Sequence, residues 1–531
     1  MREDNMLPEQ RVQNCLAMRR PALWFALFTM AAITVLVAAV FLSGQEDSRI
    51  WADSALRQAA VVSAPLSKVE GLSNHQDIAG PVPGPAFQGE QVLTGTLYLP
   101  VVMRGFDPAC PGCPPLFGIE MGGINNANGL QQAVEARMRW VRYNAIRWDV
   151  VQPNGPGTYD WGALSNVESH LLNAQQAGLW PIVIIRGTPS WAQKIPGYSC
   201  GPIKQDRLDE FATFVSAVVQ RYKDPPYNVK FWELWNEPDN LPWGSPDSGY
   251  GCWGDTTDSA GYGGGYYAQM LKQAYPAVKA ADPEAQVLIG GLLYAWYDPY
   301  GRPMINFLKG VLAAGGGDYF DILSYHAYSS PADEAYWIDE WGETILEAKT
   351  AHIRQVLAAY GYADKPMMCT EAGYRTFGDD SKLETQANYV VTDYVQAFSS
   401  GLKVHIWYGL KNDFQGTSLL NPDLSPKPAC NAYQAMTQQL DGLYYQRRVP
   451  AGSNVEEHEF GNGTRTVWVI WTTDGYYHSV HFPTAWSPSG QFWVRNKYGE
   501  GTIWSDASDG HIDGQVTVQV SGSPFYVEPV Q

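Results

Sequence analysis

From residue 116 onward, short runs rich in β-branched and aromatic residues alternate with stretches whose apolar residues recur every three or four positions. Leu208, Phe211, Val215 and Val218 follow the second pattern, which is typical of an amphipathic helix packed on a core. The predicted strands are 116–121, 144–151, 180–186, 229–237, 286–292, 320–328, 366–371 and 404–409. Eight strands that alternate with helices favour a parallel sheet closed into a barrel. We therefore predict an α/β fold, a (β/α)8 TIM barrel, over residues 96–442.

The pattern changes after residue 442, where short alternating runs are separated by turn signals such as Gly461-Asn-Gly463. The predicted strands there are 466–471, 477–482, 491–495, 501–505, 515–520 and 525–527. This arrangement predicts a small C-terminal all-β sandwich domain over residues 443–531. Its role is open between stabilising the barrel and binding sugar.

An uncharged and mostly apolar stretch lies near the N-terminus. Residues 21–45 contain no charged side chain, and a helix over 21–43 is long enough to cross the ~30 Å hydrocarbon core of a bilayer. Arg19 and Arg20 precede this stretch, so the positive-inside tendency places residues 1–20 in the cytoplasm. We predict a transmembrane signal-anchor at 21–43, with a cleaved signal peptide as the alternative, and a flexible linker over 44–95. The rest of the chain is then extracytoplasmic, at the cell surface or secreted if the segment is cleaved.

The charge balance bears on possible partners. Asp and Glu number 54 against 36 Lys and Arg, which gives a formal net charge of −18. Such a surface repels phosphates, and no basic stripe compensates, so we expect no nucleic-acid partner. No protein partner is predicted from the sequence. The 20 Trp and 31 Tyr residues suit the flat faces of sugars, although many of them belong to the core of a protein this size.

The cysteines predict structural bonds and not metal or redox chemistry. Cys200 and Cys252 lie in loops rich in Gly and Pro and could form a disulfide in an oxidising compartment. Cys110-Pro-Gly-Cys113 has the CxxC spacing, but no second CxxC and no histidine cluster accompanies it. A local structural disulfide is the favoured interpretation there. We predict no metal and no cofactor.

Two predicted strands end in a glutamate followed by turn residues. Glu237 ends the fourth strand within Asn-Glu-Pro, and Glu371 ends the seventh within Glu-Ala-Gly. The carboxyl ends of barrel strands form the mouth where active sites lie, and a buried carboxylate is costly unless it is paired or bonded. Two carboxyl groups that face one mouth can split a glycosidic bond, one as nucleophile and the other as proton donor. Retaining enzymes hold them ~5–5.5 Å apart, which is the separation predicted here.

At this point the residues resemble a known group. Trp235-Asn-Glu-Pro238 on the fourth strand, with Glu371 ending the seventh, resembles the motifs of clan A of the glycoside hydrolases. The segment Gly187-Thr-Pro-Ser-Trp191 and the terminal β domain are most similar to family 39, which includes β-xylosidases and α-L-iduronidases. Family 5 is the nearest rival. The resemblance covers residues 116–530.

The resemblance implies roles for individual residues. Glu237 is implied to be the acid/base and Glu371 the nucleophile, while Asn236 holds the sugar 2-hydroxyl. Arg147 matches an arginine that keeps the nucleophile ionised, since a cation within ~4–6 Å lowers a carboxyl pKa. The remaining implied residues are the His326–Tyr328 pair beside the nucleophile, Trp407 as the aromatic floor and Trp191 as a further sugar platform.

Each of these residues has a structural alternative. Arg147 could form an ordinary ion pair at the rim, His326 could be a bonded core histidine, and both tryptophans could be packing residues. Glu233 shares its side of the strand with Glu237 but lies one layer lower, where it meets the packed barrel interior. Glu120 on the first strand is a possible substrate-binding residue.

Taken together, the sequence predicts a retaining glycoside hydrolase that acts on an extracellular polysaccharide or oligosaccharide. A non-catalytic carbohydrate-binding surface protein on the same scaffold is the alternative from a different class. The chain carries no HExxH, phosphate loop or nucleophile elbow, so proteolysis, nucleotide hydrolysis and serine esterase chemistry have no support.

Overall fold

The computed structural model describes residues 116–242, 249–298, 301–328, 344–411 and 413–531. The predicted cytoplasmic segment, signal-anchor and linker lie outside the described residues, as does the Cys110–Cys113 pair. Among the helices that are described, none is long and apolar enough to span a bilayer.

Eight parallel strands form a closed sheet. Their bounds are β1 Phe117–Glu120, β2 Trp140–Arg147, β3 Trp180–Arg186, β4 Phe231–Asn236, β5 Gln286–Gly291, β6 Leu323–Tyr328, β7 Met367–Gly373 and β8 Val404–Trp407. The strands pair in the order β5-β4-β3-β2-β1-β8-β7-β6, and parallel bridges from Leu288 to Ile322 and from Leu292 to Tyr325 join β5 to β6. The predicted (β/α)8 barrel is confirmed.

Helices cover the outside of the barrel. Their bounds are α1 Leu130–Glu135, α2 Trp148–Val151, α3 Ser165–Gln176, α4 Leu208–Tyr222, α5 Gly264–Ala281, α6 Asn306–Ala313, α7 Ile345–Ala359, α8 Leu383–Ser399 and α9 Pro428–Leu440. In α4 the predicted apolar face is buried against the sheet, as at Phe211, Val215 and Val218. Burial of this stripe, more than helix propensity, holds such helices in place.

The barrel interior is divided into an apolar floor and a charged layer. The floor consists of inward side chains from several strands: Trp140, Ile182, Phe231, Leu288, Ile322, Met368, Val404 and Ile406. Gly118 leaves space for this layer, because a Cβ there would lie 2.2 Å from Cδ1 of Ile406. Above the floor, toward the carboxyl ends of the strands, lie the charged side chains of the site.

Strand β2 begins four residues earlier than predicted. The sequence placed it at 144–151, whereas the strand is Trp140–Arg147 and the next residues turn into α2. A charge inside a buried strand is unfavourable unless it is paired, so the sequence around Arg142 does not look like a buried strand. Its partners come from other strands and are invisible in a local pattern.

The C-terminal part forms two antiparallel sheets. One has six strands in the order β14-β13-β16-β11-β10-β9, and the other pairs β12 with β15. The bounds are β9 Tyr444–Arg448, β10 Val455–Gly461, β11 Thr466–Thr472, β12 His478–Pro483, β13 Gln491–Asn496, β14 Gly501–Ser505, β15 Gln515–Val520 and β16 Phe525–Pro529. Apolar residues between the sheets, such as Ile470, Phe482 and Val518, make a separate core.

The sequence analysis missed β9 and β10. Both strands carry many charges, a composition that looks like a loop, but the charges pair across the strands. Arg447 lies 2.9 Å from Glu459, and Arg448 forms an ion pair with Glu456. Val469 of the six-stranded sheet belongs to the main core, so this sheet packs on the barrel.

Candidate active site

The two predicted catalytic glutamates lie at the mouth of the barrel. Glu371 is part of β7, and Glu237 follows β4 directly, with its backbone N–H donating to the carbonyl of Gly291 at 2.8 Å. The backbone at the end of β4 is strained, since Trp235 has φ 85° and Glu237 has φ 45°. Such conformations cost of order 1–3 kcal/mol each and persist only where the surroundings enforce them.

His326 bridges the two carboxyl groups. Its Nδ1 lies 2.8 Å from Oε1 of Glu237 and 3.6 Å from Oε2 of Glu371. One oxygen of each glutamate and a ring nitrogen of the histidine lie within 4.8 Å of one another. The glutamate side chains are only 15% and 9% exposed, so both face a common, largely enclosed space.

Arg142 organises the charged layer below the mouth. Its fully buried guanidinium bonds Glu371 at 2.5 Å, Glu120 at 2.7 Å and Glu233 at 2.7 Å. A further bond at 2.6 Å reaches Oδ1 of Asn236. Burial alone would lower the pKa of Arg142, but the three glutamates outweigh it and raise the pKa well above its usual value. The arginine therefore stays charged and holds the nucleophile candidate in a fixed orientation.

The structure corrects the prediction for Arg147. The contact with Glu371 belongs to Arg142, five residues earlier on the same strand, while Arg147 forms an ion pair with Asp149. The error follows from the register of β2: with the strand shifted by four residues, Arg147 falls at its last position, where the side chain is 27% exposed. The rim ion pair, weighed as the alternative, describes this residue.

Burial sets the protonation of the site. It raises the pKa of Glu237 to about 7, against the opposing charges of Arg142 and Lys349. Burial likewise raises the pKa of Glu120 to about 8, although Arg142 lowers it. The pKa of His326 falls to about 4 because its ring is buried, so the imidazole is neutral near pH 7. Glu237 is therefore suited to carry a proton in the resting site.

Tyr328 and Asn236 lie where the sequence analysis expected them. The hydroxyl of Tyr328 donates to Oε2 of Glu371 at 2.7 Å, and burial followed by the charge of Glu371 raises the pKa of this tyrosine well above its usual value. Asn236 donates from Nδ2 to the carbonyl of Gly249 at 3.2 Å. With Arg142 on one oxygen of Glu371 and Tyr328 on the other, the carboxylate is bonded on both sides.

Trp407 is not the aromatic floor. Its ring is fully buried between the barrel and α8, where it meets Tyr389 edge to face, and its Nε1 donates to the carbonyl of Thr417. The next residue, Tyr408, is half-buried and feels the charges of Glu120 and Glu371, which together with the larger effect of burial raise its pKa. Adjacent strand residues point to opposite faces, so the error is a shift of one position.

Trp191 lies in a packing arrangement beyond β3. Its ring meets Trp148 edge to face at 5.2 Å, and its Nε1 donates to the carbonyl of Gln152 at 3.0 Å. The ring remains partly exposed, so its outer face is the part that substrate could reach.

A disulfide between Cys200 and Cys252 ties two loops at the mouth together. Cys200 follows β3, and Cys252 lies just beyond Gly249, whose carbonyl accepts from Asn236. The carbonyl of Cys200 also accepts from Nε1 of Trp235 and from the amide of Cys252. The bond therefore braces the end of β4 that carries Asn236 and Glu237. The sequence analysis gave this pairing as possible.

Glu237, His326 and Glu371 are also close enough to offer three ligand atoms to a metal ion. Both oxygens of Glu371 are already engaged, by Arg142 and Tyr328. The buried guanidinium so near to Glu371 would repel a divalent cation, and metal sites in proteins rarely include one. These contacts fit acid/base chemistry better than metal binding.

Eight parallel strands with two glutamates ending β4 and β7 define a clan A glycoside hydrolase. Residues 108–412 match the family described as "Cellulase (glycosyl hydrolase family 5)", and this match spans more than half of the sequence. The chain belongs to that family. The predicted resemblance to clan A is confirmed; the matching sequence family is the one weighed as the rival. No curated protein matches the sequence significantly.

Solved structures with the same fold come from neighbouring families. A family 39 glycoside hydrolase from Bacteroides cellulosilyticus superposes with a TM-score of 0.60 at 19% identity, covering 78% of this chain and 80% of that one. A monomeric β-xylosidase from Caulobacter crescentus gives 0.52 at 16% identity, with 79% and 98% covered. A GH30 endoxylanase from Clostridium papyrosolvens gives 0.54 at 12% identity, again with 79% and 98% covered. At such identities the likeness concerns the fold.

Proposed function

We propose that this glycosidase acts with retention of configuration on a polysaccharide or oligosaccharide, using Glu371 as nucleophile and Glu237 as acid/base. The short distance between the two carboxyl groups is the main support for this proposal. One oxygen of Glu237 lies within 4.8 Å of one oxygen of Glu371, and this approach favours the ~5–5.5 Å separation of retaining enzymes over the ~6.5–9.5 Å of inverting ones.

The first step forms a covalent bond between Oε of Glu371 and the anomeric carbon of the sugar. The bond from that carbon to the leaving oxygen breaks, and Glu237 gives its proton to this oxygen. A pKa raised by burial to about 7 supports the role of Glu237 as the acid. Glu371 has two bonded oxygens, so its carboxylate is held in one orientation for attack.

In the second step Glu237, now ionised, takes a proton from water while the water oxygen attacks the anomeric carbon. The bond to Glu371 breaks and the carboxylate is restored. His326 bonds Glu237 at 2.8 Å and is neutral near pH 7, so it orients the acid/base without adding a charge. Asn236 is held by bonds to Arg142 and Gly249, and we assign it to the sugar 2-hydroxyl.

The test uses the purified full-length protein and a panel of aryl glycosides and polysaccharides, with products followed by NMR. We expect cleavage with retained anomeric configuration. Glu237→Gln and Glu371→Gln should each lower kcat by orders of magnitude, because each removes one of the two reacting carboxyls. Glu135→Gln, a change at an exposed helix residue, is the matched control and should keep full activity.

A second experiment separates the two roles. Azide should restore activity to Glu237→Ala with a product of retained configuration, and to Glu371→Ala with an inverted product. Binding of a polysaccharide without any cleavage would favour the non-catalytic alternative. Cleavage that survives both substitutions would mean that other carboxyls react.

We further propose an extracytoplasmic location, with the apolar segment 21–43 as a membrane anchor. The disulfide between Cys200 and Cys252 supports it, because such bonds persist in oxidising compartments. Added protease should digest the protein on intact cells or spheroplasts but leave a cytoplasmic marker intact. Protection of the protein under these conditions would contradict the proposal.

A further inference from the structure

Arg375 lies at the mouth of the barrel and belongs to neither the charged layer nor the rim ion pairs. It follows Glu371 by four residues, on the loop after β7. The carbon of its guanidinium lies 4.8 Å from the ring centre of Tyr328 and 5.2 Å from that of Phe414. Because Tyr328 bonds Glu371, the cation is separated from the nucleophile by a single aromatic side chain.

The guanidinium has donors without acceptors. Its Nε is buried and has no hydrogen-bond partner, and no ion pair of Arg375 is found within the described parts of the chain. Arg142, in contrast, bonds three carboxylates and an amide oxygen. A buried donor left unsatisfied is costly, so an arginine held this way needs an acceptor from elsewhere.

The surroundings of Arg375 suit a sugar. Tyr328, Tyr408 and Phe414 meet one another edge to face at 6.2–6.4 Å, and Phe414 is 43% exposed. Aromatic faces of this kind pack against sugar rings, while a charged fork beside them selects a charged substituent. Burial raises the pKa of Glu237, and the charge of Arg375 is among those that lower it, which places the arginine within electrostatic reach of Glu237.

We propose that Arg375 binds an anionic group on the sugar, either the carboxylate of a uronic acid or a sulfate ester. This inference rests on the proposed glycosidase function and names its substrate class. The planar guanidinium can present two parallel N–H donors to either group, which a neutral hydroxyl cannot match in charge or geometry. The acceptor that the chain does not supply would come from the substrate.

The net charge of −18 does not contradict this assignment. Charges on the protein surface are screened beyond a Debye length of about 10 Å at 0.1 M salt, whereas the contact with Arg375 is local. Repulsion by the surface would slow the approach of a polyanion at low salt. It would not alter the preference for a charged sugar once that sugar is in the site.

The test compares matched pairs of substrates that differ only in the anionic group. Aryl glucuronide is paired with aryl glucoside, aryl galacturonide with aryl galactoside, and acidic and sulfated polysaccharides with their carboxyl-reduced or desulfated forms. The full-length parent is compared with Arg375→Gln, Arg375→Lys and the control Lys411→Gln, which removes a cation from the β8 loop. Calorimetric binding is measured along with hydrolysis, so the result does not depend on turnover.

We expect the parent to prefer the charged member of at least one pair. In Arg375→Gln, both kcat/KM and affinity for that charged member should fall by about 10- to 100-fold. The neutral member should change less than about threefold, and Arg375→Lys should restore part of the preference. Preference for carboxylate over sulfate, or the reverse, identifies the group.

Two results would overturn the inference. The first is a parent that prefers the neutral member of every pair, and the second is an Arg375→Gln variant whose kcat/KM and affinity fall equally for both members. The second would assign Arg375 a packing role on Tyr328. Binding that depends on the anion and on Arg375, but without hydrolysis by the parent, would support the inference and reject the proposed function. Hydrolysis confined to neutral glycosides, with no binding or cleavage of any anionic member, would support the proposed function and reject the inference.

Discussion

Nη1 of Arg142 lies 2.5 Å from Oε1 of Glu371, and the same nitrogen bonds Glu120 at 2.7 Å. One buried cation therefore links the proposed nucleophile to a second carboxyl group at the mouth of the barrel. Glu233, deeper in the barrel, accepts a third bond from Nε of Arg142 at 2.7 Å. Such a group of charges is sensitive to the loss of any member, because each partner left behind is buried and unpaired.

Arg142→Gln should destabilise the protein by about 3–5 kcal/mol and lower kcat/KM by about 100-fold, since it leaves three buried carboxyl groups without their cation. Urea denaturation and steady-state kinetics measure the two effects. Arg147→Gln on the same strand is the matched control; its ion pair with Asp149 lies at the rim, so both changes should be small. Equal effects of the two substitutions would contradict the arrangement described here.

Ionisation of Glu237 should set the alkaline limit of activity. The acid role needs the proton, and burial raises the pKa of Glu237 to about 7, so kcat/KM should fall as the pH rises through this value. A profile of kcat/KM for an aryl glycoside between pH 4 and pH 9 tests this. A rate that is constant up to pH 9 would exclude Glu237 as the proton donor.

The same pKa predicts an effect on stability. The folded pKa of about 7 lies above the usual glutamate pKa of 4.5, so the stability that Glu237 contributes is complete below pH 4.5 and is lost as the pH rises through about 7. Glu237→Gln removes this dependence and should be more stable than the parent at pH 8, by up to about 3 kcal/mol. At pH 4 the two proteins should unfold at the same urea concentration; a gap that is independent of pH would point to altered packing instead.

Tyr408 and Trp407 should respond differently to substitution. Tyr408→Ala removes an aromatic side chain from the mouth and should lower kcat/KM by about 10-fold with little loss of stability. Trp407→Phe opens a cavity behind the barrel wall and should lower the free energy of unfolding by about 2 kcal/mol without changing KM. The reverse outcome would restore Trp407 as the floor of the sugar site.

Gly291 has no side chain, and the ring of His326 occupies the space where a Cβ would lie. A Cβ at this position would lie 2.3 Å from Nε2 of His326 and 3.1 Å from Oε1 of Glu233. Gly291→Ala should therefore displace the histidine that bonds Glu237, lowering kcat about 10-fold or more and shifting the alkaline limb of the pH profile. Gly265→Ala is the control, because its Cβ meets nothing closer than 3.8 Å and helical alanine is favourable. An unchanged pH profile in Gly291→Ala would show that the ring tolerates the methyl group.

The sequence by itself determined the barrel and the two glutamates at its mouth. Repeated alternation of strand and helix patterns requires a parallel sheet covered by helices, and a glutamate that ends a buried strand is costly without a function. These signals are local, so Glu237 and Glu371 could be identified without coordinates. The neighbouring Asn236, His326 and Tyr328 followed from the resemblance to clan A.

Only the tertiary structure decided which side chains complete the site. The predicted β2 began four residues too late, which left Arg142 outside the strand and put Arg147 in its place; in β8 the predicted floor was Trp407, although the adjacent Tyr408 is the residue at the mouth. Adjacent strand residues point to opposite faces, so an error of a single position is enough to choose the wrong side chain. Arg142 was hidden because its partners lie 22, 91 and 229 residues away, and Arg375 because a missing acceptor is visible only in three dimensions.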